Sequence, residues 1–221
     1  MSAGASEWTG GSSRGTARAR RILLCASGGY QCYMLPGFVL SLLRHVADDV
    51  QVVLSRAAAK LVSPLAVEVA SRHRVYIEME DQGPDIFVPH IELGLNADLV
   101  LVYPATVNVI AKVAQGIADE LIPALILATA SPVFFVPGTN PNMWEHPAVR
   151  RNVRTLREDG YLVLPPPPAV EVATREGLAE MPDAFPYPTL EAQMRAALAG
   201  TLSAGVVNRR DPGASPGGTP R

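Results

Sequence analysis

The densest run of side-chain chemistry in the sequence is Pro137-Gly138-Thr139-Asn140-Pro141-Asn142-Met143-Trp144-Glu145-His146-Pro147. It puts two amides, a thioether and an indole on one stretch bounded by prolines, and binding residues concentrate on such constrained loops. A second run is Tyr103-Pro104-Ala105-Thr106-Val107-Asn108, where a proline ends an apolar stretch and the hydroxyl and amide beyond it can meet the polar edge of a planar ring. Taken alone, it serves equally as a capped helix start. The third is Pro89-His90-Ile91-Glu92-Leu93, which offers one imidazole for proton transfer just before another apolar stretch.

Two further segments could hold an anion. Ala26-Ser27-Gly28-Gly29-Tyr30-Gln31 is a small-residue turn leading into a helix, able to present backbone N–H groups to a phosphate or to act as a plain tight turn. It lacks the glycine spacing of a dinucleotide fingerprint, which disfavours NAD-type binding. In Leu54-Ser55-Arg56-Ala57-Ala58-Ala59, Ser55 suits a bound anionic group or a helix N-cap equally well, with the small Ala58 beside it.

The elements that must position these residues alternate. Strand-length apolar runs at 21–26, 50–54, 99–102, 124–128 and 133–136 are interleaved with helical patterns at 35–45, 64–72, 107–118 and 147–158. This predicts a single-domain, doubly wound α/β fold, a parallel sheet with helices on both faces, whose ligand sits beyond the carboxyl ends of the strands. Four of the chemistry-bearing segments, those after Ala26, Leu54, Val102 and Val136, fall at those ends, and the His90 segment lies upstream of the strand at 99–102. The apolar stretch 121–136 is broken by Pro123 and Pro132 and is too short to span a membrane. Residues 1–19 and 206–221, rich in Gly, Ser, Pro and Arg, are expected to be disordered tails around a folded unit at 20–205. Within that unit, four prolines at 165–168 open an extended segment, 165–188, that could be a spacer or a lid, and a last helix is predicted at 190–204.

The 221 residues, 48% hydrophobic and 18% charged, suffice for one buried core. A net charge of -2 gives no field that would gather nucleic acid or anionic lipid, so neither partner is expected. The two cysteines, Cys25 and Cys32, supply no disulfide framework, which fits a reducing cytoplasm.

Together, Pro104-Ala105-Thr106-Val107-Asn108 and Pro137-Gly138-Thr139-Asn140-Pro141-Asn142-Met143-Trp144 resemble the P-A-S-A-N-T and P-x-M-N-x-x-M-W motifs of the homo-oligomeric flavin-containing cysteine decarboxylases. That family includes phosphopantothenoylcysteine decarboxylase and the peptidyl-cysteine decarboxylases of lantibiotic, linaridin and thioviridamide-like pathways. The resemblance runs from about Arg21 to Leu164 and keeps motif order and spacing. It implies an FMN cofactor, with FAD as the alternative, contacted by Ser27, Gly28, Gly29, Ser55, Ala58, Pro104, Ala105, Thr106 and Asn108. It also implies His90 as catalytic base, Asn140 and Met143 shaping the site beside the flavin, no metal, and a homotrimer or homododecamer. Thr106, Val107, Val109 and Thr139 depart from the motif residues, and Gly29 stands where a hydroxyl residue is common.

In the chemistry so implied, His90 helps remove the thiol proton of a substrate cysteine while the flavin takes a hydride equivalent from the adjacent carbon. The resulting thioaldehyde, beta to the carboxylate, loses carbon dioxide. The reaction is expected to stop at an aminoenethiol, because no cysteine follows Cys32 to return a proton as in phosphopantothenoylcysteine decarboxylase. The expected partner is then a precursor peptide ending in cysteine, with 165–188 as substrate clamp, and the alternative is phosphopantothenoylcysteine decarboxylation in coenzyme A biosynthesis. A flavin prenyltransferase shares the fold, but the His90 and Asn140 motifs are not expected there.

Overall fold

A computed structural model of the chain describes residues 18–166 and 188–198. Its five strands, β1 (Ala19–Ala26), β2 (Ala47–Leu54), β3 (Leu99–Ala105), β4 (Val133–Pro137) and β5 (Leu162–Val163), form one sheet in the order β2-β1-β3-β4-β5. Every pairing is parallel. The doubly wound expectation is met in detail. Alternate strand residues face opposite sides, and both sides are buried: Ile22, Leu24, Ala26, Leu99, Leu101 and Tyr103 belong to one core, and Leu23, Cys25, Val100 and Val102 to the other. β2 and β3 flank β1, so the winding direction reverses between β1 and β3, and a crevice opens beyond their carboxyl ends.

The helices follow from local signals. In α1 (Leu35–His45), Leu35, Phe38, Val39 and Leu42 recur at helical spacing and are buried; Pro36 sits in the first turn and Arg44 and His45 in the last. Phe38 meets Tyr103 edge to face at 5.1 Å, seating α1 on the centre of the sheet. α2 (Pro64–Ser71) and α7 (Pro147–Glu158) each start at a proline in the expected place. α4 (Val107–Ala114) is four residues shorter than the predicted helix. Gly116, at φ 70°, turns the chain left-handed while the Ile117 N–H closes on the Lys112 carbonyl at 2.8 Å, a glycine stop that the longer prediction overran.

Three expectations are corrected. Residues 124–128, read as a strand, lie in α5 (Leu121–Ala128), a helix with six successive buried residues from Leu121 to Ile126. Pro123 falls in its first turn, where a missing N–H costs nothing, and a continuous apolar run has no period to separate buried helix from buried strand. The short helix α3 (Pro89–Leu95) was not anticipated as a helix. The tail boundary at residue 19 is too late: Ala19 opens β1, and Arg18 bonds the carbonyl of Ala47 at 2.5 Å and the carboxylate of Asp48 at 3.0 Å.

α6 (Pro141–Glu145) follows β4, and α8 (Pro188–Leu198) places Leu190 and Met194 in the core and bonds Arg195 to the His45 carbonyl. The remainder of the expected tails, the final part of the predicted last helix and nearly all of the expected clamp, residues 167–187, lie outside the described residues. Among the described residues, no helix is long and apolar enough to cross a membrane.

Candidate active site

The loops after β1, β3 and β4 are bound to one another at the sheet's carboxyl edge. The Ser27 hydroxyl donates to the Pro104 carbonyl at 2.8 Å and accepts the backbone N–H of Thr106 at 2.8 Å, with the Thr106 hydroxyl oxygen 3.0 Å away. The Gly138 N–H continues the series to the Ala105 carbonyl at 2.9 Å. Ser27 is 5% exposed, and its donor and both acceptor sites are met by the protein. The Gly29 N–H turns inward to the Ser27 carbonyl at 2.7 Å. The Ser27 hydroxyl and the Gly29 N–H, two of the groups expected to face a phosphate, are thus engaged within the loops themselves.

Glycine is required here by close approach. A Cβ on Gly28 would lie 2.5 Å from the Cβ of Ala57 in the loop after β2; on Gly29 it would lie 3.0 Å from the Pro104 ring, and on Gly138 2.7 Å from it. Both glycines thus pack closely on Pro104, which follows a cis Tyr103–Pro104 peptide at the end of β3. The loops after β1, β3 and β4 meet there with little side-chain bulk between them.

The remaining expected residues divide. Ser55 accepts the N–H of Ala58 at 3.1 Å, as an N-cap would, and keeps its own hydroxyl proton to donate. Ala58 itself is fully buried in the core, so its side chain cannot touch a ligand. Thr106 precedes α4 and Asn108 lies exposed on its first turn, both beside the crevice. Asn140 caps α6, its Oδ1 accepting the Met143 N–H at 2.8 Å, which leaves the Nδ2 protons as its free function; Met143 is 44% exposed.

His90 sits in the first turn of α3. Pro89 starts that helix, and Glu92 reaches back to accept the N–H of Val88 at 2.8 Å and that of Phe87 at 3.2 Å. The far end is fixed by Thr129, whose hydroxyl donates to the Gly94 carbonyl at 3.1 Å, and by Ser131, which donates to Ala97 at 2.7 Å. The half-buried imidazole has its Nδ1 enclosed without a hydrogen-bond partner among the described residues. No hydrogen bond or ring contact among those residues joins it to the loops of Ser27, Pro104 or Asn140, so within one chain the structure brings together the β1, β3 and β4 loops and leaves His90 on its own helix.

One residue of the site was missed. Gln31, 5% exposed, lies just beyond the double glycine; its Oε1 is buried without a partner among the described residues, 2.8 and 2.9 Å from where Cβ atoms on Gly29 and Gly138 would be. The signal was present in the sequence: Gln31, Leu35, Phe38 and Leu42 share the helical spacing of the buried face, and Gln31 is the polar one.

A protein-family model described as Flavoprotein matches residues 11–185. The chain belongs to the flavoprotein family. The Coenzyme A biosynthesis bifunctional protein CoaBC of Bacillus subtilis is 40% identical over 148 residues, 66% of this chain and 36% of that protein. CoaBC of Escherichia coli is 36% identical over 147 residues, again 66% and 36%. The chain therefore spans a little over a third of the length of these curated relatives. Among solved structures, the FMN-dependent cysteine decarboxylase SpaF superposes with a TM-score of 0.61 at 34% identity, covering 65% of this chain and 82% of its own. A PPC decarboxylase in complex with pantothenoylaminoethenethiol superposes at 0.66 and 25% identity, covering 82% and 100%.

Proposed function

We propose that the chain is an FMN-dependent decarboxylase of a cysteine carboxylate. The observation that carries the proposal is the buried Gln31 Oε1, without a partner among the described residues, where the glycine-lined loops after β1 and β4 close on Pro104, in a flavoprotein and at the crevice where such folds bind their ligands. Those features fit a planar ring with a polar edge. Gly138 would lie against it above the buried Pro104, Asn108 and Thr106 would meet its rim, and Ser55 would donate to its phosphate. The bound flavin supplies a two-electron acceptor, which no side chain can.

The protein's own tasks are to orient the substrate and to hold a proton. With Nδ1 walled in, Nε2 is the nitrogen of His90 that meets a substrate thiol and takes its proton. The Asn140 Nδ2 protons, left free by the capping bond, suit the substrate carboxylate. Met143 supplies an apolar wall, which favours loss of charge as carbon dioxide departs. Because His90 is not joined to the three loops within one chain, a homotrimer or homododecamer in which a neighbouring copy completes the site is part of the proposal. Exposed Phe87, Ile91 and Leu95, spaced by four along the start and outer face of α3, are consistent with such a contact.

Of the two substrates, the similarity to CoaBC favours the small phosphopantothenoylcysteine conjugate over the peptide expected from sequence. One observation favours a precursor peptide ending in cysteine: no cysteine follows Cys32, so a proton donor of that kind is missing and the product would remain an enethiol. The SpaF similarity accords with an FMN-dependent cysteine decarboxylase in either reading. The chain would work in the cytoplasm in either case. His90→Asn tests the assignment of the base: the variant is expected to keep bound flavin and to lose decarboxylation of both substrates, and undiminished turnover removes His90 from the reaction.

A further inference from the structure

The buried amide of Gln31 is an anomaly that the fold alone does not require. A carbonyl oxygen enclosed without a donor forfeits roughly 1–3 kcal/mol, and an apolar side chain of the same shape would avoid that loss. Gln31 lies on the helical face that otherwise carries Leu35, Phe38 and Leu42, where an apolar residue is the natural occupant. Yet its Oε1 is held between Gly29 and Gly138, and a Cβ at either position would come within 2.8 or 2.9 Å of it. Gln31 makes no side-chain hydrogen bond among the described residues. Three loops thus converge on an acceptor that nothing among the described residues satisfies, at the crevice between β1 and β3.

We infer that Gln31 reads the imide edge of the flavin ring, its Oε1 accepting the ring N3–H and its Nε2 donating to a flanking carbonyl. This rests on the flavin reading above. The pairing follows from complementarity: the isoalloxazine edge presents acceptor, donor, acceptor in one plane, and a primary amide presents the matching donor and acceptor. A substrate carboxylate has no proton to give the orphaned oxygen, so it cannot be the partner. Glycine at 29 and 138 leaves room for the Gln31 Oε1, which a Cβ at either position would displace.

The test is flavin binding to the full chain, read by quenching of flavin fluorescence with FMN and with its N3-methyl analogue. The wild type is expected to bind the methylated flavin about tenfold more weakly. Gln31→Met is expected to bind FMN about tenfold more weakly and to bind the two flavins equally, while flavin-free Gln31→Met melts at or above the wild-type temperature because the orphan has been removed. Gln31→Glu, which keeps the acceptor, is expected to recover part of the preference for FMN. A wild type that binds both flavins alike, or a Gln31→Met protein with undiminished FMN affinity, overturns the inference and leaves the decarboxylase reading standing. A folded wild type that binds neither flavin overturns both.

Discussion

The hydroxyl of Ser27 accepts the backbone N–H of Thr106 across 79 residues of sequence, at 2.8 Å. That bond, with the one Ser27 donates to the Pro104 carbonyl, ties the carboxyl ends of β1 and β3 where the sheet's winding reverses. Ser27→Ala would leave a buried N–H and a weakened carbonyl, a loss of about 1–3 kcal/mol. The expected result is a melting temperature lower by several degrees together with weaker FMN binding; unchanged values for both would show that the interlock does not shape the site.

Gly138→Ala tests the close packing of the β4 loop on Pro104 and Gln31. The added Cβ would stand 2.7 Å from the Pro104 Cβ and 2.9 Å from the Gln31 Oε1, closer than folded proteins accept. Flavin affinity is expected to fall by at least tenfold, with a stability loss of about 1–3 kcal/mol from overpacking. Equilibrium dialysis with FMN and thermal melting check this, and a variant indistinguishable from the wild type would mean that the ring lies elsewhere.

Asp49 sets an acid limit on stability at the opposite edge of the sheet. Burial alone would raise its pKa, but the hydrogen bonds and positive charges of His73, at 2.5 Å, and Arg21, at 2.6 Å, outweigh it and hold the carboxyl below the ordinary range. A depressed carboxylate stabilises the fold above its unfolded value, about 3.9, and that stability is lost as the pH falls through the folded value. Asp49→Asn is therefore expected to melt a few degrees below the wild type at pH 7, with the gap narrowing as the pH drops below about 4. A constant gap across that range would contradict the assignment.

The two native thiols should be inert. Burial pushes the Cys32 thiol up to about 11, and its S–H donates to the Ser27 carbonyl at 3.2 Å; burial raises Cys25 further still. Iodoacetamide at pH 8 is expected to label neither cysteine in the folded protein and both after denaturation. Rapid labelling of the native chain would place a reactive thiol beside the flavin loops and complicate any assignment of substrate chemistry.

Much of this arrangement was legible in the sequence because the signals were local and mutually consistent. The strand runs of β1 to β4 carry β-branched and aliphatic residues buried on both faces, and α1 and α7 are delimited by a proline at one end and charged residues at the other. What failed depended on tertiary context. The 124–128 run reads as strand or helix until its neighbours α3 and α4 are in place around it. Ala58 looked like space for a phosphate, but the space is filled by the core. The cap made by Asn140, and the inward turn of Ser27, consume polar groups that the sequence offered as free. Gln31 was overlooked because a lone polar residue on an apolar helix face draws attention only when its oxygen is seen to have no partner.

The most direct measurement is the mass of the product formed by the FMN-loaded chain from each of two substrates, phosphopantothenoylcysteine and a peptide ending in cysteine. The account predicts loss of carbon dioxide from at least one of them, alone where the product is a saturated thiol and together with two hydrogens where it stays an enethiol, and which substrate turns over decides between the two readings. A folded, flavin-loaded protein that removes carbon dioxide from neither contradicts the account.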